Sequence, residues 1–259
     1  MGSNSTNNKN IMRKKLQFLI SILLLLNSSC SHKVSYLDEN YPYLVPKIYA
    51  NTIINTEGRF IQNITMSPSG KEVLLGQTDS AMWRYERILR IKKLEHKITI
   101  DTPQFVKDFK YEHNWFIGEP MISPDNKDLY FVADLPPNYW NSKRTKNGEW
   151  STPFKMDSLS TEKGDWYMSS SGNNTLYFTD GNIFKSPRKN GKYNSRIKVK
   201  GEFNELDAGD PCISKKEDYM IFASVREGGY GQGDIYVSFN DGKGSEYYIL
   251  GICPLHFSR

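Results

Sequence analysis

Four segments of the sequence resemble one another, and internal repeats constrain a fold more strongly than composition does. They align without a gap from Ser67, Ser123, Ser170 and Ser214, at spacings of 56, 47 and 44 residues. Each opens with turn-forming residues and continues into a short apolar run, such as Leu129 to Val132. This pattern predicts a strand, a tight turn and a second strand, which together form a β-hairpin.

Further strands are predicted after each hairpin. Polar-aromatic stretches that end in serine indicate third strands at 138–142, 182–186 and 234–238, and later segments indicate fourth strands at 150–154 and 193–197. The alternation of Tyr85, Arg87 and Leu89 predicts an extended strand hairpin in the first repeat. Four strands in 44 to 56 residues match one propeller blade. We therefore predict an all-β fold, a β-propeller of four-stranded antiparallel blades, with four recognisable repeats and room for a fifth blade.

The turn sequences resemble a known repeat family. The run from Ser123 to Lys127 reads Ser-Pro-Asp-Asn-Lys and is similar to the Ser-Pro-Asp-Gly-Lys signature of TolB-type, WD-like β-propeller repeats. The segments 210–224 and 228–236 resemble the last full blades of exported propeller proteins of Bacteroidetes-like bacteria. The resemblance covers roughly residues 57 to 240. It implies a propeller in the cell envelope but no particular activity, because this architecture carries many unrelated functions.

The N-terminal region has the layout of an export signal. A cationic segment from Met12 to Lys15 precedes a largely apolar stretch of 11 residues, Leu16 to Leu26, and then Cys30. A membrane-spanning helix needs about 20 apolar residues, so cleavage is the better interpretation. The site resembles the lipobox of bacterial lipoproteins, which implies lipid modification of Cys30, and Ser31 carries no inner-membrane retention signal. The alternative is an ordinary signal peptide in which this cysteine is incidental.

The export signal and the repeats divide the chain into three parts, and the export signal contains most of the excess positive charge. We expect an upstream polar segment and signal peptide at 1–29, a lipid-anchored tether with a possible closing strand at 30–56, and propeller repeats at 57–259. The chain has 34 basic and 29 acidic residues, but four of the basic residues precede Cys30, so the mature chain carries only about +1. This balance excludes a nucleic-acid partner. The expected partners are a membrane, reached through Cys30 and favouring the outer membrane, and an envelope protein or glycan.

The C-terminal region leaves closure of the propeller open. Ser258 lies 44 residues after Ser214, where a fifth repeat would start. We expect a truncated or frameshifted chain, a propeller that a partner closes, or a composite fifth blade built from residues 41–61 and the C-terminal strand. Cys212 and Cys253 form either a disulfide or two buried free thiols. No cysteine spacing suits a metal, and we expect neither a metal nor another cofactor.

Candidate chemistry is sparse. The four histidines have no neighbouring nucleophile motif, and no Gly-x-Ser-x-Gly elbow occurs, so we assign no catalytic residue. Acidic residues recur just before the hairpins at Glu119, Asp165 and Asp210. Such recurrence favours turn caps or hydrogen bonds between blades. The alternative is a glycan-active hydrolase or lyase that uses these carboxylates in the propeller funnel.

Aromatic side chains near loops are the best positive indication of binding, since they suit sugar stacking or protein contacts. The candidates for a ligand surface are Trp140, Trp150, Trp166 and Tyr230. The leading hypothesis is a non-catalytic protein- or glycan-binding scaffold propeller of the cell envelope. A non-functional fragment is a further alternative.

Overall fold

The described part of the chain is almost entirely β-structure. The computed structural model describes residues 51–54, 59–78, 86–94, 97–109, 116–193, 195–205, 208–229, 233–240, 242 and 246–252. These residues form four sheets of antiparallel strands, which are arranged as a four-bladed β-propeller. This confirms the predicted fold class. No helix among these residues has the length and apolarity to cross a bilayer.

Each blade is a meander whose strands follow the chain order from the inside outward. The first blade contains β1 (Phe60–Met66), β2 (Glu72–Thr78), β3 (Glu86–Leu94) and β4 (Lys97–Asp101). The second contains β5 (Ile117–Ile122), β6 (Asp128–Ala133), β7 (Asn138–Lys143) and β8 (Phe154–Lys155). The third contains β9 (Trp166–Ser170), β10 (Leu176–Thr179), β11 (Ile183–Ser186) and β12 (Ile197–Lys198).

The fourth blade is larger by one short strand. It contains β14 (Ala208–Ile213), β15 (Tyr219–Ser224), β16 (Asp234–Asn240) and β17 (Glu246–Ile252), and β13 (Lys200–Gly201) pairs in parallel with β17. Two short helices, α1 (Asn51–Ile54) and α2 (Gln104–Asp108), and a 3₁₀ turn (Glu202–Glu205) complete the described elements. Strand β17 completes the fourth blade, and β1 is the inner strand of the first. The described residues therefore contain no composite fifth blade.

Neighbouring blades bury both faces of the strands between them. In β6, Tyr130 and Val132 pack towards the third blade, whereas Leu129 and Phe131 pack towards the first. All six residues of β6 and all four of β10 are buried. The alternation follows from the two-residue period of a strand, which points successive side chains to opposite faces. The fourth blade differs, because one face packs on the third blade while the other carries exposed Tyr219, Ile221, Ile235 and Phe239.

A serine at the start of each inner hairpin holds the turn. The Oγ atoms of Ser67, Ser123 and Ser214 each accept a hydrogen bond from the backbone N–H five residues later, at 3.1, 2.9 and 3.2 Å. In the third blade Ser171 accepts instead, from the N–H of Thr175 at 3.2 Å. The gapless alignment from Ser170 is therefore wrong by one residue at this turn. The third turn is one residue shorter, and the strands realign from Leu176 onward.

A left-handed residue three positions after each serine confirms this equivalence. These residues are Gly70, Asn126, Asn174 and Glu217, with φ angles of 67°, 59°, 63° and 60°. In every case the N–H of this residue donates to the carbonyl oxygen of the serine. Glycine and asparagine tolerate this conformation, whereas a glutamate is strained in it. The fourth turn therefore has the least suitable residue at a shared position.

Arginines cross the interfaces between the first three blades at equivalent positions. Nη2 of Arg144 lies 2.7 Å from Oε2 of Glu72, and Nη1 of Arg188 lies 3.0 Å from Oδ2 of Asp128. Both acids are at the start of a second strand and are buried. At the interface between the third and fourth blades, the equivalent positions hold the neutral Thr175 and Asn240. Pairing satisfies charges that would otherwise be costly to bury.

We predict that Glu217→Asn stabilises the fourth blade. Asparagine adopts positive φ with less strain, so the free energy of unfolding should rise by about 1 kcal/mol. Urea unfolding of the two proteins at the same pH measures the difference. The control Lys216→Asn changes the preceding exposed residue, which does not have a positive φ angle, and should leave the free energy unchanged. Equal stabilities of the wild type and Glu217→Asn would contradict the assignment of strain.

Candidate functional site

The inner strand of every blade is interrupted by a β-bulge. The register shifts between Ile61 and Asn63 in β1, between Gly118 and Met121 in β5, and between Gly209 and Cys212 in β14, with a matching shift in β9. The bulges place four different side chains at one level of the propeller: Gln62, Glu119, Tyr167 and Asp210. Three of these residues have positive φ, 50° for Glu119, 28° for Tyr167 and 51° for Asp210. Bulges often re-aim side chains beside functional sites.

All four bulge side chains line one central cavity of about 280 Å³. The other described residues of its wall are Asn63, Glu86, Phe116 and Trp166. The rings of Phe116 and Trp166 meet edge to face, with their centroids 5.5 Å apart. The cavity thus combines an aromatic wall with three carboxyl groups. The described lining residues include no cationic side chain.

Glu86 is the most deeply buried acid of the cavity, with only 2% of its surface exposed. Two glycines make room for it. A Cβ atom at Gly118 would lie 2.2 Å from its Cδ, and one at Gly76 would lie 2.2 Å from its Oε1. Burial raises the pKa of Glu86 to about 7, although the N–H of Glu119 donates to its carboxylate and opposes the rise. Oε1 of Glu86 has no hydrogen-bond partner among the described residues.

Glu119 and Asp210 occupy the bulges of the second and fourth blades. Burial raises the pKa of Glu119 to about 8, the N–H of Tyr167 opposes this rise, and the nearby carboxylates of Glu86 and Asp210 add to it. The nitrogen of Tyr167 lies 2.5 Å from Oε2 of Glu119. Partial desolvation also raises the pKa of Asp210, although its side chain is exposed. Burial therefore favours the protonated forms of Glu86 and Glu119 near neutral pH.

A second cavity of about 410 Å³ adjoins the first. It shares Glu119, Trp166 and Asp210 with the central cavity and continues along the inner ends of the third and fourth blades to Val225 and Gly233. The shared residues therefore lie between the small central cavity, or chamber, and this wider second cavity, which we call the groove. A ligand that places its end group in the chamber would have its remaining atoms in the groove.

Asp165 does not reach the central cavity, although it was grouped with Glu119 and Asp210 in the sequence. It is fully buried, and it accepts from the N–H of Thr161 and pairs with Arg196 at 3.0 Å. It lies just before β9, two residues ahead of the bulge that Tyr167 occupies. Asp165 therefore stabilises the connection around the third blade.

The four candidate aromatic residues have different surroundings. Trp150 is buried, donates to Glu72 at 3.3 Å and is covered by the guanidinium group of Arg144. Trp140 donates to Asp134 at 3.0 Å and packs edge to face on Phe109. Trp166 lines both cavities. Tyr230 lies outside the described residues. Among the described candidates, only Trp166 lines the cavities that contain Glu119 and Asp210.

Two further predictions concern cysteines and metals. Cys212 is a free thiol rather than half of a disulfide, and it is exposed, so the alternative of a buried thiol is also wrong for this residue. Cys253 and Cys30 lie outside the described residues. The described residues contain no cluster of three or more His, Cys, Asp or Glu side chains that could hold a metal ion.

Sequence reasoning found two of the three acids of the cavity but missed Glu86, Tyr167 and the glycines that make room for Glu86. The repeated order Gly-acid-Pro, at Gly118 and again at Gly209, could have indicated the two bulges. Glu86 follows no motif, because its place in the cavity depends on pairing between β2 and β3.

Comparisons with known proteins support the fold. Neither a known family nor a curated protein matches the sequence. Among solved structures, TolB from Acinetobacter baumannii superposes with a TM-score of 0.51 and 15% identity, covering 74% of this chain and 43% of that one. A putative TolB from Agrobacterium tumefaciens gives 0.47 and 16%, covering 71% and 60%. The chain is thus a β-propeller with TolB-like structural neighbours, and it spans less than two thirds of the length of either.

We predict that the cavity acids make stability fall as pH rises. Glu119 has an unfolded-state pKa near 4.5 and a folded-state pKa of about 8, so the folded protein retains a proton that the unfolded chain releases between these values. The stabilisation is complete below the lower pKa and is lost as pH passes the higher one, with a slope of up to about 1.4 kcal/mol per pH unit. Glu86 acts in the same direction, up to about pH 7.

Urea unfolding between about pH 5 and pH 9 tests this assignment. Glu119→Gln should flatten the fall in stability, whereas Glu202→Gln on the exposed 3₁₀ turn should keep the wild-type profile. A Glu119→Gln profile parallel to that of the wild type would contradict it.

Proposed function

We propose that this protein is a non-catalytic binding propeller of the bacterial cell envelope, lipid-anchored through Cys30, which recognises an envelope protein or a glycan. The observation that carries the proposal is the convergence of four inner-strand bulges on one central cavity. Repeated strands form a regular scaffold, and the bulges turn four unlike side chains from it towards a common point. The aromatic face of Trp166 and the carboxyl groups beside it are suited to stacking and hydrogen bonding with a polar ligand.

A glycan-active hydrolase or lyase is the second candidate, because Glu119 and Asp210 line the same cavity. Such chemistry requires one protonated and one ionised carboxyl group, so their environments must push the two pKa values apart. Here desolvation raises the pKa of Glu86, Glu119 and Asp210 in the same direction. The products formed from a glycan therefore decide between the two candidates.

We predict that Trp166→Ala weakens ligand binding. The purified full-length protein is tested against immobilised envelope glycans and synthetic peptides from envelope proteins, and loss of stacking should lower affinity about tenfold or more. The matched control is Trp140→Ala, because Trp140 packs on Phe109 away from the cavity. Equal affinities of the wild type and Trp166→Ala would contradict the proposed site.

The same glycans decide between the two candidate functions. Release of reducing sugar by the wild type, abolished in Glu119→Gln with binding retained, would replace the binding proposal with the enzyme. Binding without release of products supports the proposal.

The location is tested separately through the anchor. We predict that Cys30→Ala moves the protein from the membrane to the soluble fraction, because the acyl chains supply the membrane affinity. Cys212→Ala, which changes a cysteine within the propeller, should remain in the membrane fraction. Persistence of Cys30→Ala in washed membranes would refute the lipid anchor.

A further inference from the structure

The central cavity differs from every other place where the described residues bury an acid. Four acidic side chains are buried: Glu72, Glu86, Asp128 and Asp165. Three of them have an arginine partner within 3.0 Å, namely Arg144, Arg188 and Arg196. Glu86 forms no such pair among the described residues, and its Oε1 is without a hydrogen-bond partner there. A buried carboxylate without a partner is costly, so its presence in a cavity points to a group supplied from outside.

The backbone is shaped to keep Glu86 in this position. The carboxyl group fits between Gly76 and Gly118, where neither position has space for a Cβ atom. The N–H of Glu119 donates to the carboxylate, and Oε1 has no donor among the described residues. The side chain is therefore fixed in position, with hydrogen-bonding capacity left over. Preorganisation of this kind is typical of a binding group.

The remaining wall contains groups that attract a positive charge once the carboxyl groups are ionised. Glu119 and Asp210 add two further carboxyl groups, and Phe116, Trp166 and Tyr167 add aromatic rings. The faces of aromatic rings attract ammonium and guanidinium groups, more strongly where water is excluded. A volume of about 280 Å³ fits a group of side-chain size. Alkylammonium and guanidinium groups combine a positive charge with carbon atoms that the aromatic rings can contact, so organic cations match this wall.

We propose that the central cavity binds an organic cation, an alkylammonium or guanidinium group, with Glu86 and Glu119 as its counter-charges and Asp210 at the mouth. This inference rests on the proposed binding function and specifies its ligand. The cation enters the chamber while the rest of the ligand occupies the adjoining groove. Two sources share this chemistry, a Lys or Arg side chain of a protein segment and a free amine.

Binding of a cation requires ionised carboxylates, and burial raises the pKa of Glu86 and Glu119 above their ordinary values. The bound cation therefore displaces protons, and its affinity increases with pH until both groups are ionised. A neutral ligand of the same shape has no such dependence. The pH profile thus distinguishes ion pairing from simple filling of the cavity.

The test is calorimetric titration of the full-length protein with N-butylguanidinium and with its neutral analogue N-butylurea. We expect the cation to bind with an affinity at least about tenfold higher than that of the urea. The affinity for the cation should rise between about pH 6 and pH 8.5. Glu86→Gln should weaken cation binding about tenfold or more, whereas Glu202→Gln on the surface should leave it unchanged. Equal binding of the two compounds, or equal binding by the wild type and Glu86→Gln, would overturn the inference.

A second variant keeps the inference testable if Glu86→Gln fails to fold, as judged by its thermal unfolding. Asp210→Asn changes an exposed residue at the mouth and should lower cation affinity several-fold. Unchanged affinity would then overturn the inference. If glycans or peptides bind through Trp166 but N-butylguanidinium does not compete with them, only the cation inference fails. If Trp166→Ala leaves their binding unchanged, the proposed function fails together with the cation inference.

Peptides distinguish the two sources of the cation. A pentapeptide with a central arginine is compared with the same peptide containing citrulline, which is neutral. Tighter binding of the arginine peptide than of N-butylguanidinium supports a protein side chain, because the groove then contacts the flanking residues. Equal binding of those two supports a free amine. Equal binding of the arginine and citrulline peptides would count against the cation itself.

Discussion

The structure depends on the burial of second strands between neighbouring blades. In β6 and β10 both faces are covered, so successive side chains pack in opposite directions and every residue contributes to a core. Apolar contact, rather than continuous hydrogen bonding, joins the first blade to the second, the second to the third and the third to the fourth. The acids of two arginine pairs, Glu72 and Asp128, are the first residues of the second strands β2 and β6. The pairs satisfy buried charge at interfaces that apolar packing has already formed.

The inner strands have a different requirement, because they face the centre of the propeller and are not enclosed in the same way. A bulge in each inner strand breaks the two-residue alternation once. The extra residue points towards the axis, while the rest of the strand keeps its register with the second strand. Glu119 and Asp210 thus reach one cavity without disturbing the cores on either side. The site uses a local departure from regular pairing within an otherwise regular scaffold.

The parts predicted from sequence are those with local causes. The third strands at 138–143, 183–186 and 234–240 agree with prediction because alternation and turn residues determine them within a few positions. The fourth strands β8 and β12 are only two residues long and overlap only the ends of the predicted segments. The serine that holds the third turn is Ser171 rather than the aligned Ser170, because this turn is one residue shorter and its composition does not reveal the difference. Glu86 was not predicted, since its burial depends on Gly118 in another blade, and single-sequence patterns carry no such long-range information.

The four blades share their turn residues but differ in the residues at their bulges. The hairpin turns use one geometry four times, with a serine acceptor and a left-handed residue at the same offset, because the scaffold benefits from uniformity. The bulge positions instead hold glutamine, glutamate, tyrosine and aspartate, and the buried Glu86 comes from the first blade alone. A symmetrical ring of identical groups could not orient an asymmetrical ligand. The repeated scaffold identifies the architecture, whereas the chemistry of the cavity comes from the bulge positions, where the residue differs from blade to blade.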